Sequence, residues 1–159
     1  MVGYGVIGSA VAARFSALGI RCRVYDPWLD QHAIPEPAAL ADVLSCDLVT
    51  LHPELTLERP WPSFHLLAQP ELAQLGGDSL LINASRGAVV DNSALLARLT
   101  ERDRPACVLD VWEDEPFIDQ ALLQRVDLGT AHIAGYSLDG KLLGTQMVCQ
   151  ALASHFEID

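Results

Sequence analysis

Short apolar runs alternate with helix-like stretches along most of this chain, and that alternation constrains its fold more than any other feature. Runs of about four or five mostly apolar residues are typical of strands buried on both faces of a parallel sheet. The predicted strands are residues 21–25, 47–51, 79–83, 106–109 and 126–128. The predicted helices are residues 7–18, 37–44, 92–102 and 138–156. The pattern therefore predicts a doubly wound α/β domain with right-handed crossovers.

Length and charge restrict the kind of protein this can be. A chain of 159 residues has room for one domain, and no internal repeat or linker divides residues 1–159. The formal net charge of −11 repels nucleic-acid phosphates and anionic membrane surfaces, so neither is an expected partner. No apolar run approaches the roughly 18 residues of a membrane span, and no signal peptide is recognisable. We therefore expect a single cytoplasmic domain.

The four cysteines are far apart in the sequence and form no C-x-x-C pair. They are Cys22, Cys46, Cys107 and Cys149, and we expect mostly apolar surroundings for them. Such spacing favours buried free thiols in a reducing compartment over a disulfide framework or a zinc site. No metal site is predicted.

A glycine-rich turn opens the chain immediately before the first predicted helix. Gly3, Gly5 and Gly8 match G-x-G-x-x-G, in which the glycines allow a tight turn, close approach of a pyrophosphate and close helix–strand packing. Asp26 ends the next predicted strand about 20 residues further on, where a carboxylate binds the adenine-ribose hydroxyls of NAD and repels the 2′-phosphate of NADP. The alternatives are a turn that only needs small residues and a glycine loop for S-adenosylmethionine.

The first strand of such a fold is predicted to be truncated. Only Met1 and Val2 precede Gly3, where a strand of about five residues is typical. That strand is central in the usual strand order. We therefore expect that the chain lacks upstream residues of its natural parent.

Polar side chains follow three of the predicted strands, at the edge where ligands of open α/β sheets bind. These segments are residues 83–91, 109–116 and 131–136. Taken singly, Arg86 could be a surface ion-pair partner, Glu115 a solvated loop acid and His132 a structural histidine. For Asp91 we favour a structural role as the N-cap of the next helix.

Together, the segments closely resemble a known enzyme family. R-G-x-x-V-D at 86–91, D-V-W-x-x-E-P at 110–116 and H-I-x-G at 132–135 are similar to the D-isomer-specific 2-hydroxyacid dehydrogenases, which use NAD. The resemblance extends over nearly the whole chain. Within the family, it is strongest to the enzymes that oxidise 4-phospho-D-erythronate to 2-oxo-3-hydroxy-4-phosphobutanoate in pyridoxal phosphate biosynthesis. Members acting on glycerate or phosphoglycerate, and a non-catalytic NAD-sensing module, are the alternatives.

The resemblance implies a role for each of the three strand-end residues. Arg86 would bind the substrate carboxylate or carbonyl oxygen, since a guanidinium makes planar, charge-assisted hydrogen bonds. His132 would take the hydroxyl proton as hydride leaves, because an imidazole titrates near neutrality. Glu115 would hold the other ring nitrogen and stabilise the imidazolium.

The resemblance also implies the remaining contacts. Cofactor-binding residues would be Gly3, Gly5, Val6, Ile7, Gly8, Asp26, Ala84, Ser85, Asp110 and Gly135. Tyr136 would lie beside the substrate, a small phosphorylated 2-hydroxy acid. The parent enzyme would be a homodimer with a substrate domain and a C-terminal dimerisation domain, neither of which residues 1–159 contain.

Two departures from the family pattern concern the cofactor. Val6 stands where relatives often have asparagine, and His52-Pro53-Glu54 replaces a common His-Thr-Pro. The second change removes a hydroxyl expected to face NAD. We therefore expect the isolated chain to bind NAD more weakly than is usual in the family, and to have negligible turnover without a substrate domain.

Overall fold

A computed structural model describes residues 1–157 and has a parallel sheet at its centre. The strands are β1 (Leu48–Leu51), β2 (Leu80–Asn83), β3 (Ala106–Leu109) and β4 (Leu128–Gly129). They lie side by side in chain order, and each neighbouring pair is parallel. The predicted α/β class with a parallel sheet is confirmed, and β4 lies slightly beyond the predicted residues 126–128.

A helix lies between each pair of successive strands, as parallel pairing requires, and further helices precede β1 and follow β4. They are α1 (Val6–Ala17), α2 (Leu40–Leu44), α3 (Gln69–Leu72), α4 (Asn92–Leu99), α5 (Gln120–Leu123) and α6 (Leu138–Phe156). Two 3₁₀ turns, Gln31–Ala33 and Gly87–Val89, complete the regular structure of the described residues. The predicted bounds of α6 are confirmed.

The first residues of the chain extend the sheet beyond β1. The Val2 N–H donates to the Thr50 carbonyl at 3.0 Å, and the Gly3 N–H donates to the Tyr25 carbonyl at 2.8 Å. Val2 therefore lies between Tyr25 and β1, through one bridge to each side. From Val2 the chain continues to Tyr25 on one side of the sheet and later to β1 on the other side. Open α/β sheets form their ligand crevice at such a change of direction.

The predicted strand at residues 21–25 is wrong in its length. Only Val24 and Tyr25 make bridges, to Pro37 and Val2 respectively, and no continuous ladder forms in the described chain. The ladder is short because the segment that pairs with Tyr25 is short: it reaches the turn at Gly3 directly after Val2. Local apolar character was therefore a poor guide to ladder length here.

Several helices also differ from the sequence prediction. The helix expected over residues 37–44 begins only at Leu40, because Pro37 instead forms a bridge with Val24. The helix expected over residues 92–102 ends at Leu99, because the chain turns there and Arg98 donates to the Asp103 carbonyl. The short α5 was not predicted, and Asp119 caps it by accepting from the backbone N–H groups of its first turn.

The apolar core covers both faces of the sheet near its centre. The larger cluster joins the inward residues of β1, β2 and β3 with leucines of α2 to α5. The smaller one joins Met1, Ala12, Val24 and Ile34 under α1. Met1 and Val2 belong to different clusters because successive residues of an extended chain point to opposite faces.

The last helix is exposed along its length. None of its residues is buried, although it carries many apolar side chains. Among residues 1–157, no helix is both long and apolar enough to cross a membrane.

The cysteines are free in the described chain, as predicted, but they differ in burial. Cys107 is buried, and that burial raises the pKa of its thiol to about 12. Cys22 and Cys46 are half-buried and Cys149 is exposed, so the expectation of buried thiols is correct only for Cys107.

Candidate active site and cofactor cleft

The opening turn has room for glycine only at two of its positions. Gly3 has φ +86°, and a Cβ there would lie 2.8 Å from backbone atoms of His52 and Pro53. A Cβ on Gly8 would lie 2.2 Å from the Gly3 carbonyl oxygen. The first turn of α1 thus packs directly against the turn that precedes it.

Gly5 has a different environment. It is the N-cap of α1, and a Cβ there would meet no heavy atom within 4 Å in the described chain. Because glycine cannot cap with a side chain, the first N–H groups of α1 are left available to an anion. Val6, at the start of the helix, is 86% exposed. The open space and free donors suit a pyrophosphate.

A cavity of about 590 Å³ lies beside this turn. Its lining includes the predicted cofactor residues Gly3, Gly5, Val6, Ile7 and Asp26, and also Trp28 and Trp61. The two tryptophans are joined by a hydrogen bond of 3.0 Å from the Trp28 indole to the Trp61 carbonyl. A largely apolar cleft that presents the Asp26 carboxylate beside the glycine turn fits the adenosine half of a dinucleotide.

Asp26 is held with both carboxylate oxygens in defined positions. One oxygen accepts from the Tyr4 N–H at 2.8 Å and the other from the Trp28 N–H at 3.0 Å. Each oxygen keeps a further lone pair for a ribose hydroxyl. The residues of the cleft therefore fit NAD, and a 2′-phosphate would meet a fixed negative charge.

The second group of predicted residues begins where β2, β3 and β4 end. Asn83, Leu109 and Gly129 stand side by side in the sheet register. The buried Asn83 organises the next turn, because its amide donates to the Arg86 carbonyl and accepts from Ser85. Ala84 and Arg86 are exposed on that turn. The three segments that carry the predicted catalytic residues thus begin at the same edge of the sheet.

Asp110 shapes the loop that carries His132. Its carboxylate accepts from the Thr130 hydroxyl and from the N–H groups of Ile133 and Ala134, at 2.9 and 2.8 Å. Burial alone would raise the pKa of Asp110, but these hydrogen bonds outweigh it and hold the pKa below its ordinary value. Asp110 is consequently an anion that fixes this loop, and its contact with the cofactor stays a prediction.

His132 and Glu115 form a hydrogen-bonded pair, as the family resemblance implied. The distance from His132 Nδ1 to Glu115 Oε2 is 2.7 Å, and the Trp112 N–H donates to Glu115 Oε1 at 2.7 Å. His132 itself has φ +54°, and its N–H donates to the Asp110 carbonyl. With Nδ1 facing a carboxylate, Nε2 is the ring nitrogen left for proton exchange with another group.

The predicted residues after His132 lie just before α6. Gly135 and Tyr136 are exposed, and the Lys141 ammonium lies 3.8 Å from the centre of the Tyr136 ring and bonds to its hydroxyl. Gly8, Ala84, Ser85, Asp110 and Gly135 do not line the large cavity, so it contains only part of the predicted cofactor contacts.

Several residues of the site were missed by sequence reasoning. Trp28 follows Asp26-Pro27 closely enough to have been suspected, but nothing in the sequence connects it to Trp61. His52 lines the cleft, where burial, followed by the charge of the N-terminal amine, lowers its pKa. His65 and Glu113 form a hydrogen bond of 2.6 Å although they are far apart in sequence.

Comparison with known proteins identifies the family to which this chain belongs. The family model described as D-isomer specific 2-hydroxyacid dehydrogenase, NAD binding domain, matches residues 1–134. The chain belongs to this family. Its cofactor is therefore NAD, in agreement with the cleft built by Gly3, Gly5 and Asp26.

Within this family, the chain is similar in sequence to enzymes of one kind. The chain is 48% identical over 158 residues to erythronate-4-phosphate dehydrogenase of Cellvibrio japonicus (strain Ueda107), covering 99% of this chain and 42% of that protein. It is also 48% identical to erythronate-4-phosphate dehydrogenase of Marinobacter nauticus (strain ATCC 700491 / DSM 11845 / VT8), covering 98% of this chain and 41% of that protein. The chain thus spans less than half the length of these relatives.

Solved structures agree on the fold. D-lactate dehydrogenase with NAD⁺ from Lactobacillus jensenii superimposes with a TM-score of 0.71 at 28% identity, covering 86% of this chain and 45% of that one. A glyoxylate reductase from Paecilomyes thermophila reaches a TM-score of 0.82 at 24% identity over 96% of this chain and 47% of that one. The predicted Rossmann-type fold is confirmed.

Proposed function

We propose that this chain is the cofactor-binding part of an NAD-dependent enzyme that oxidises 4-phospho-D-erythronate at its 2-hydroxyl to 2-oxo-3-hydroxy-4-phosphobutanoate. The observation that carries the proposal is the His132–Glu115 pair at 2.7 Å, beside the strand ends that also position Arg86. A non-catalytic NAD sensor has no need of that arrangement. The relatives named erythronate-4-phosphate dehydrogenase support the substrate.

In this mechanism the chain's residues bind, orient and move one proton. Arg86 holds the carboxylate or the developing carbonyl oxygen through charge-assisted hydrogen bonds. His132 Nε2 removes the proton of the 2-hydroxyl, and Glu115 stabilises the resulting imidazolium at Nδ1. Bound NAD supplies a nicotinamide ring that can accept the hydride. The reverse reaction uses the same proton on His132.

The other predicted contacts complete the proposed site. The turn of Gly3, Gly5 and Gly8, with Val6 and Ile7, would cover the pyrophosphate, and Asp26 would bind the adenine ribose. Nearer the nicotinamide we place Ala84, Ser85, Asp110 and Gly135. Tyr136 would contact the substrate from the segment just before α6.

The assembly is part of the proposal. We propose that residues 1–159 are one NAD-binding domain and that the complete protein is a cytoplasmic homodimer. The exposed apolar side chains of α6, such as Leu142, Met147 and Leu152, support a packing partner for that helix in the complete protein. The widely spaced free cysteines suit the reducing cytoplasm.

Turnover tests the function directly. NADH formation from 4-phospho-D-erythronate is measured at saturating NAD with a polypeptide that carries this chain and spans the full length of its relatives. His132→Asn should lower kcat by about 10²–10⁴-fold, since it removes the base. Unchanged turnover in that variant, or a preference for glycerate or 3-phosphoglycerate, would contradict the proposal. The 159-residue chain alone should bind NAD with negligible turnover.

A further inference from the structure

A second cluster of charged and polar groups adjoins the loop that carries Glu115. It consists of His65, Asp91, Asn92 and Glu113, here called the His65 cluster. His65 Nε2 lies 2.6 Å from Glu113 Oε1, and His65 Nδ1 lies 3.9 Å from Asp91 Oδ2. None of these groups belongs to the catalytic arrangement described above.

Glu113 ties its own loop to the start of α4. Its second carboxylate oxygen accepts from the Asn92 N–H at 2.8 Å, and the Glu113 N–H donates to the Asn92 side chain at 3.3 Å. Both oxygens of Glu113 are thus occupied by protein groups, so this carboxylate acts on the loop and not on a ligand. The loop then turns at Asp114, with φ +57°, and reaches Glu115.

His65 ties the same point to the segment that follows Arg86. The His65 N–H donates to the Ala88 carbonyl at 2.8 Å, and the Leu67 N–H donates to the Val89 carbonyl at 3.1 Å. The His65 ring stacks on Phe64 with centroids 4.0 Å apart. The backbone of His65 therefore grips the turn after Arg86, while its imidazole grips Glu113.

We infer that the His65–Glu113 pair is a positioning device, which holds the segment of Arg86 and the segment of Glu115 in register so that Glu115 meets His132. The inference rests on the proposed function in one respect, that Arg86, Glu115 and His132 are the catalytic groups. His65 and Glu113 are positioning residues, because they act through Glu115. The two segments also approach each other closely through backbone, since a Cβ on Gly87 would lie 2.0 Å from the Trp112 carbonyl.

The negative charge of the Glu113 carboxylate strengthens its hydrogen bonds to His65 and Asn92. A carboxylate that accepts from both a backbone N–H and an imidazole forms stronger bonds than a neutral pair. Glu113 and His65 are only 22% and 32% exposed at their side chains, so solvent screens them less than a surface pair. Breaking the pair should free the loop at the residue two places before Glu115.

The experiment reads out the His132 ring in the 159-residue chain. ¹⁵N-histidine NMR at about pH 8.5, where an ordinary imidazole is neutral, distinguishes the Nδ1–H tautomer that Glu115 favours from the Nε2–H tautomer of a free ring. We expect the parent to show the Nδ1–H form. In Glu113→Ala the His132 resonances should shift towards the mixture of tautomers of a free ring. In Glu113→Gln the amide oxygen can still accept from Asn92, so the His132 resonances should lie between those of the parent and those of Glu113→Ala.

A second variant and a control separate positioning from general destabilisation. His65→Gln should move the same His132 resonances, and the double variant with Glu113→Ala should move them no further than Glu113→Ala alone. Arg104→Met, which breaks an ion pair at the opposite end of β3, should lower the unfolding midpoint and leave His132 unchanged.

The outcomes are clear-cut. Unchanged His132 tautomers in folded Glu113→Ala or folded His65→Gln would overturn the inference, as would an equal shift in Arg104→Met. Turnover plays no part in this measurement, so its failure is distinct from a failure of His132→Asn to lower kcat.

Discussion

Gly87 lies so close to Trp112 that a Cβ on Gly87 would be 2.0 Å from both the carbonyl carbon and the carbonyl oxygen of Trp112. The contact joins the residue after Arg86 to the loop that holds Glu115. No real Cβ tolerates such a distance from backbone, so one of the two segments must move if a side chain is added. Glycine at this position therefore sets the spacing between two proposed catalytic residues.

Gly87→Ala should destabilise the fold and disturb the site together. Overpacking typically costs about 1–3 kcal/mol in the free energy of unfolding. Urea denaturation measures it, and Gly76→Ala is the matched control, because a Cβ there meets no heavy atom within 4 Å in the described residues. Equal unfolding midpoints for the two variants would show that the close approach is absent.

Gly5→Ala should separate cofactor binding from stability. The described chain leaves open space at the Gly5 Cβ position, and Gly5 has φ −70°, which alanine adopts easily. The unfolding midpoint should therefore stay unchanged. The added methyl would occupy the approach of the pyrophosphate, so the Kd for NAD should rise about tenfold or more, or about 1.4 kcal/mol. Calorimetric titration with NAD checks this, and unaltered affinity would argue against a pyrophosphate at the turn.

Asp26→Asn should reduce the discrimination between NAD and NADP. The carboxylate is held by the Tyr4 and Trp28 N–H groups, so its charge lies at a fixed point of the cleft. Removing the charge removes repulsion of a 2′-phosphate and weakens the ribose contact. The ratio of the Kd values for NADP and NAD should fall, as measured by competitive titration. A ratio that stays constant would place the adenine ribose elsewhere.

Acid stability should depend on the ion pair of Arg104 and Asp127. The two make a bidentate contact at 2.9 Å, and the Arg104 guanidinium, with the Cys107 N–H, lowers the pKa of Asp127 to about 2. The lowered pKa of Asp127 in the folded state stabilises the protein at pH values above the unfolded pKa of about 3.9. This stabilisation is lost as the pH falls towards 2. Because Asp127 is 41% exposed, screening limits the contribution to about 1 kcal/mol.

Thermal unfolding of the parent and Asp127→Asn from pH 6 to about pH 2 tests this linkage. The difference in midpoint should be constant above about pH 5 and shrink below pH 4. A difference that stays the same down to the lowest pH would mean that the ion pair does not perturb Asp127.

The sequence predicted those parts of the molecule that depend on neighbouring residues. The α6 helix begins after Ser137, whose hydroxyl accepts from the Gly140 N–H, and its bounds followed from local spacing. Asp91 caps α4 by accepting from the Ala94 N–H, as predicted.

Longer-range features were predictable only where a motif carried them. Glu115 and His132 are 17 residues apart, and their pairing followed from family-like segments. His65 and Glu113 are 48 residues apart and carry no such signal, so their contact depends on how two loops pack. The helix α5 was missed because four residues are too few to show a helical period.

The most direct test of the account is a crystal structure of this chain with NAD. The pyrophosphate should lie over Gly5 and the first turn of α1, with the adenine ribose on Asp26. The nicotinamide ring should lie beside the strand ends, with the Arg86 guanidinium and the His132 imidazole both facing it. A nicotinamide bound away from His132, or Arg86 and His132 on opposite sides of the molecule, would contradict the account.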